Sequence, residues 1–272
     1  MEAYLCRTCG VQQPPSERPP ARCPICLDER QYIGPAGQRW ATLAELKEEG
    51  HRIELLDEEP GLIGIEVRPR VGIGQRPLLV RTPRGNVLWD CVGYFDADMV
   101  DAIANLGGIA AIAFSHPHFY GAAAEWSRAF GDAPIHVPVA DRRWFLRTDV
   151  EPVLWEGHLE LLPGVTLIQC GGHFEGSAAL HWAAGSRGKG AILVGDTIAV
   201  ASDRRFVSFM RSYPNLIPLP REAIESIVES LRPYEFDRIY GGWTGDVVDR
   251  GGHEAVERSA ERYLRWIGAR RP

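Results

Sequence analysis

"FSHPHFYGAAAEW", residues Phe114–Trp126, sets two histidines one residue apart directly after an apolar run, and the reading of this stretch decides the fold. In an extended turn, residues i and i+2 project to the same side, so His116 and His118 can grip one cation together. The preceding "IAAIAFS" is apolar throughout, as in a strand buried on both faces, and it ends at His116. The pair therefore stands at a strand exit. Two further ligands stand at similar exits: His173 in "CGGHFEGS" and Asp196 in "LVGDT". Three imidazoles and a carboxylate suit zinc or a similar divalent ion.

Working outward, "LIGIEV", "PLLVRT" and "NVLWDC" read as strands, the last two joined by the turn "PRGN". "ADMVDAIANLGG" has helical spacing, a helix is expected from about Tyr120 to Phe130, and a short strand lies around "PIHV". Strands follow at "HLELL", "VTLIQC", "AALHW" and "AILVGD", then a helix at "REAIESIVESLRP", a strand at "FDRIYGG" and a last helix at "HEAVERSAERYLRWIG". Strands and helices in this order predict an α/β (α+β) sandwich with its loops gathered at one sheet edge.

Four of the six cysteines fall within the first 26 residues as two C-x-x-C pairs, Cys6 with Cys9 and Cys23 with Cys26. Two such knuckles can close a tetrahedral thiolate site around zinc, with iron as the alternative. The intervening "GVQQPPSERPPARCPIC" is proline-rich and polar, so coordination is expected to hold this segment together. Residues 1–36 are read as a four-cysteine, zinc-ribbon-like domain and residues 37–272 as the larger domain. The helix "ATLAELKEEG", with Thr42 as N-cap and Glu45 completing a capping box, lies at the seam.

With 36 acidic and 30 basic residues, the net charge of −6 argues against a nucleic-acid partner or an anionic membrane surface. The amino terminus "MEAYLCRTCG" lacks the basic and apolar regions of a secretory signal, and no later apolar stretch is long enough to span a bilayer. A cytoplasmic location is expected. Cys91 and Cys170 read as core residues, and His136, His158, His181 and His253 have no spacing that joins them to the ligand set. "SDRRFVSFMRSYPNLIPLP" reads as a pocket wall, with Arg205 or Arg211 meeting an anionic substrate.

From about Leu62 onward the chain resembles the metallo-β-lactamase fold superfamily of hydrolases. The resemblance rests on the order of "VLWD", the double-histidine loop, "GGHFEGS", "VGDT" and a late "YGG". It implies a four-layer αββα sandwich, with His116, His118 and His173 as ligands of one metal, Asp196 as a ligand able to bridge two, and Asp90 as a structural aspartate nearby. The amino-terminal knuckles resemble those of rubredoxin. The family's double-histidine loop continues to an aspartate and a histidine for a second metal. Those positions are Tyr120 and Gly121 here, and Trp243 stands where a last histidine is usual. Asp246 and Glu175 are the carboxylates weighed as substitutes.

One zinc is therefore expected at the histidine site and one at the cysteines, with iron possible at either. Restoring aspartate and histidine at 120 and 121 should raise affinity for a second metal. The resemblance implies a hydrolase in which a metal-activated water attacks a small ester, thioester, lactone or amide. Catalytic roles fall to Asp196 and to Tyr120, whose hydroxyl can donate to an oxyanion. The alternatives are a regulatory metal-binding protein docking a partner through the four-cysteine segment, and an iron-dependent oxidoreductase.

Overall fold

The apolar runs form two sheets laid face to face. In the computed structural model, which describes residues 1–268, the first sheet has seven strands in the order Arg52–Glu59, Leu62–Arg68, Leu78–Thr82, Gly85–Trp89, Ala111–Ala113, Ile135–Pro138 and Val153–Trp155. The second has six: His158–Leu162, Val165–Gln169, Ala178–Trp182, Ala191–Val194, Arg238–Tyr240 and Val247–Val248. Alternation along each strand divides the core. Leu78, Val80, Val87, Trp89 and Ala113 face Val165, Leu167, Leu180 and Leu193 between the sheets. Their neighbours Leu79, Leu88 and Ile112 turn to the other side.

Each outer face is covered by helices. Ala97–Asn105 and Ala123–Ala129 lie over the first sheet, contributing Met99, Ile103, Ala123 and Trp126. Arg221–Leu231 and Gly252–Trp266 lie over the second, contributing Ile224, Ile227, Ala255 and Val256. This is the four-layer αββα arrangement. The strand Arg52–Glu59 was not foreseen. It is an edge strand without a fully buried residue, so its backbone pairing with Leu62–Arg68 carries no hydrophobic alternation.

Register gathers the ligand loops. Trp89 and Ala113 are paired in parallel, so both strands release the chain at one edge, toward Asp90 and toward Ser115–His118. In the second sheet Gln169 pairs with Ala178, and Ala179 with Val194, which brings the His173 and Asp196 loops to one edge too. A bond from the Ala178 amide to the Ser115 carbonyl (2.8 Å) joins the two edges. No helix among the described residues is long and apolar enough to cross a membrane.

The capping box at Thr42 and Glu45 is formed, on the helix Leu43–Glu48. The cysteine segment departs from expectation, because more than coordination holds it. Leu5, Val11 and Ile25 are buried with the four cysteines in the cluster that contains Ile65, Ile112 and Phe114. Backbone meets backbone there: a Cβ on Gly72 would fall 2.6 Å from the Gly10 nitrogen, and one on Gly93 would strike the Gly10 carbonyl. The Gln12 amide donates to the Gly121 carbonyl (3.1 Å), and Gln12 Oε1 accepts from buried Arg147. Composition hid this, because few apolar residues suffice when glycine loops let the chains approach.

Candidate active site

His116, His118, His173 and Asp196 present ligand atoms that all lie within 4.8 Å of one another, and all four residues are buried. His118 Nδ1 is 3.3 Å from His173 Nε2, and Asp196 Oδ2 is 3.6 Å from both His116 Nε2 and His173 Nε2. Donors about 2.0–2.1 Å from a tetrahedral ion stand about 3.3–3.4 Å apart, so the set fits a zinc-sized cation. His116 Nε2 and Asp196 Oδ1 are buried with no hydrogen-bond partner among the described residues, which is the condition of atoms that await a cation.

The remaining ring nitrogens fix the tautomers of two ligands. His116 Nδ1 bonds Ser115 Oγ (2.9 Å), which donates to Asp90 (2.9 and 3.0 Å to its two oxygens), so a carboxylate–hydroxyl–imidazole chain leaves Nε2 for the ion. Asp90 also accepts from the Ser115 amide (2.7 Å), and its φ of +65° is one that aspartate tolerates. His173 Nδ1 lies 3.3 Å from the Met210 carbonyl, an acceptor that leaves Nε2 free for the ion. Burial holds His116 and His118 well below the usual imidazole range and His173 down to about 3, so all three are neutral and ready to coordinate. Burial pushes Asp196 up to about 7 and Asp90 up to about 8.

The site opens into a cavity of about 220 Å³ in which His118 and Asp196 meet Tyr213 and Trp243. Thr8, Arg30, Gln31 and Tyr32 of the cysteine segment complete its wall, with Arg70 at the rim. Arg70 is exposed and has no ion pair among the described residues. The arginines expected to meet substrate lie elsewhere: Arg211 pairs with Glu29, and the exposed Arg205 does not line the cavity. Cys170 and Cys91 are core residues, as expected.

Tyr120 lies outside this cavity. Its ring is buried edge-on between Phe114 (4.7 Å) and Phe145 (5.7 Å), and its hydroxyl has no partner among the described residues. At Gly121 φ is +49°, and a Cβ would stand 2.5 Å from the Val92 carbonyl oxygen. A histidine there cannot be seated without moving backbone, which runs against the expectation that aspartate and histidine at 120 and 121 would by themselves raise affinity for a second metal. Glu175 is engaged by Arg30, and Asp246 lies outside the ligand cluster.

A second cluster comprises Cys6, Cys9, Cys23 and Cys26, all buried. Sγ–Sγ separations of 3.6 Å (Cys6 to Cys26) and 3.8 Å (Cys9 to Cys23) match the edge of about 3.8 Å that tetrahedral zinc–sulfur bonds of about 2.3 Å require. Gln38 Nε2 and Gln13 Nε2 donate to Cys6 and Cys23, stabilising thiolate charge. Two contributors escaped sequence reasoning. Ser115 had a signal in its place between strand and ligand, whereas Arg30, whose contact is with residue 173, had none.

The metallo-beta-lactamase superfamily profile matches residues 75–243. A curated relative, the uncharacterized protein YmaE of Bacillus subtilis (strain 168), is 46% identical over 271 residues, covering 99% of this chain and 98% of its own. Among solved structures, VMB-1 superposes with a TM-score of 0.59 at 13% identity, over 79% of this chain and 98% of its own. A B3 metallo-beta-lactamase with an active-site glutamic acid gives 0.54 at 16% identity, over 85% and 94%. These structures share the fold, and the profile covers the ligand loops described above. On that ground the chain belongs to the metallo-beta-lactamase superfamily.

Proposed function

We propose that the protein is a hydrolase of small esters, thioesters, lactones or amides that works with one divalent cation, zinc foremost, held by His116, His118, His173 and Asp196. The observation that carries this reading is the ligand set itself: four converging donors, two of them fixed by outer hydrogen bonds, with His118 and Asp196 at the wall of an open cavity. A divalent cation held by these four residues would supply an acidified water, with a pKa towards about 7, and Lewis acidity toward a carbonyl.

The chain's own residues do the rest. The Asp90–Ser115 pair holds the His116 ring in place, and Met210 does so for His173. Tyr213 and Trp243 bound the space in which a substrate lies, and Arg70 at the rim offers a charge to an anionic substituent. The reading of a single cation is supported by Gly121, where a side chain would collide with Val92, and by Tyr120, whose hydroxyl is in the core. A second zinc belongs on the four cysteines, and iron is the alternative ion at either cluster.

The test is a panel of chromogenic esters, thioesters, lactones and amides with zinc-loaded protein. Hydrolysis is expected of at least one class and is expected to vanish in folded His116→Ala. Turnover that survives that substitution would refute the assignment, as would inactivity on every class.

A further inference from the structure

The second knuckle runs straight into the hydrolytic site. The helix Pro24–Leu27 carries Cys26, and four residues later Arg30 is only 1% exposed. Its Nε donates to the carbonyl of His173 (2.5 Å), Nη1 to Asp28 (2.8 Å) and Nη2 to Glu175 (3.0 Å). The guanidinium also lies 4.2 Å above the ring of Phe174, which is edge-on to His118 and His173 at 5.0 and 5.1 Å. One buried cation thus fixes the backbone and the packing of the turn that presents His173.

The same few residues hold the loop on the other side of that histidine. Ser212 Oγ donates to the Arg30 carbonyl (3.0 Å), and Asn215 Nδ2 donates to the carbonyls of Glu29 (2.8 Å) and Gln31 (2.9 Å). This is the loop whose Met210 carbonyl faces His173 Nδ1. The first knuckle reaches the opposite half of the fold, with Gly10 against Gly72 and Gly93, and Gln12 on Gly121 just beyond the double-histidine turn. The close sulfur pairs cross between knuckles, Cys6 with Cys26 and Cys9 with Cys23. An ion on the four sulfurs therefore ties the His116–His118 side of the site to the His173 side.

We propose that the two ion sites are linked through Arg30: with a thiophilic cation on Cys6, Cys9, Cys23 and Cys26, Arg30 acts as a positioning residue for His173, and the affinity of the histidine site depends on it. The inference rests on reading the histidine cluster as a cation site and not on hydrolysis. Absence of turnover would leave it standing, and absence of linkage would leave turnover standing.

The test uses the full chain and zinc or cobalt alone. In zinc titration against a chelator, Arg30→Met is expected to keep one ion on the cysteines and native far-UV circular dichroism, while binding at the histidine site weakens roughly 10–100-fold, the usual effect of losing an outer support. Arg30→Lys keeps the charge but cannot reach all three acceptors, so partial rescue is expected, with weakening of roughly threefold or more and a shifted visible spectrum of cobalt at the histidine site. In the unmutated chain, an organomercurial that displaces the cysteine-bound ion is expected to release the histidine-bound ion as well, although no thiol is among its ligands. Histidine-site affinity within twofold of the original in folded Arg30→Met would overturn the proposal. If that variant does not fold, unchanged affinity and spectrum in Arg30→Lys would do so. Mercurial treatment that releases only the cysteine-bound ion, with the cobalt spectrum of the other intact, is equally contrary.

Discussion

Gly121→His is the substitution that would rebuild a missing ligand of a second metal, and the structure gives reason to expect that it fails. The residue has φ +49°, a left-handed conformation that costs an L-residue about 1–2 kcal/mol. Its Cβ would stand 2.5 Å from the Val92 oxygen, 2.6 Å from the Val92 carbonyl carbon and 2.8 Å from the Cys91 carbonyl carbon, all backbone atoms that cannot swing aside. Forcing atoms into a packed core costs about 1–3 kcal/mol more. Together the penalty is about 2–5 kcal/mol, or a fall in Tm of roughly 4–10 °C for a chain of this size. Displacement of the loop would also strain the bond from Gln12 to the Gly121 carbonyl, so the cysteine segment should loosen with it. Thermal unfolding by circular dichroism, with elemental analysis of zinc per chain, measures both effects. A Gly121→His protein, alone or with Tyr120→Asp, that melts at the unmutated temperature and takes up a third zinc would refute the packing argument.

Tyr120→Phe removes a buried hydroxyl that has no partner among the described residues, so kcat is expected to stay within twofold and stability to hold or rise by about 1 kcal/mol in urea unfolding. A tenfold fall in kcat with ion content preserved would give the hydroxyl a part in the chemistry. Asp149 is held well below the usual carboxylate range chiefly by its hydrogen bonds from Arg147, with Arg128 adding to them. Because its folded pKa lies below the unfolded value of 3.8, its stabilisation is present above that value and disappears as the pH falls below it towards the depressed folded pKa. With the side chain 28% exposed, Asp149→Asn is expected to cost about 1–2 kcal/mol at neutral pH and less at pH of about 3, read from urea midpoints; a gap that widens on acidification would contradict this.

The ligands were legible because each marks the place where an apolar strand stops and a polar, glycine-rich turn begins. The same contrast revealed most strands and the longer helices, and Thr42 with Glu45 spelled out a cap. What stayed hidden depends on contacts remote in sequence. Arg30 is one charged residue in "LDERQY" until folding brings it to His173, 143 positions away. Tyr120 and Gly121 could be recognised as departures from a pattern, but only the positions of Phe114, Phe145 and Val92 reveal what fills the space. Arg52–Glu59 escaped notice because an edge strand needs backbone bonds and no apolar face.

The close approach of Gly10 to Gly72 and Gly93 bears on how relatives of this chain can be sorted. A methyl group at either of the two downstream glycines would land on the backbone of the first knuckle, and at Gly93, whose backbone is outside the left-handed region, that collision alone demands glycine. A chain of the same fold that lacks the cysteine segment is released from the requirement at position 93, whereas the φ of +57° at position 72 favours glycine in either case. One that carries side chains there has no seat for a knuckle in this pose. Position 93 thus acts as an imprint of the amino-terminal segment, so that its gain or loss during descent would be recorded in the larger domain even where the cysteines themselves had been trimmed away.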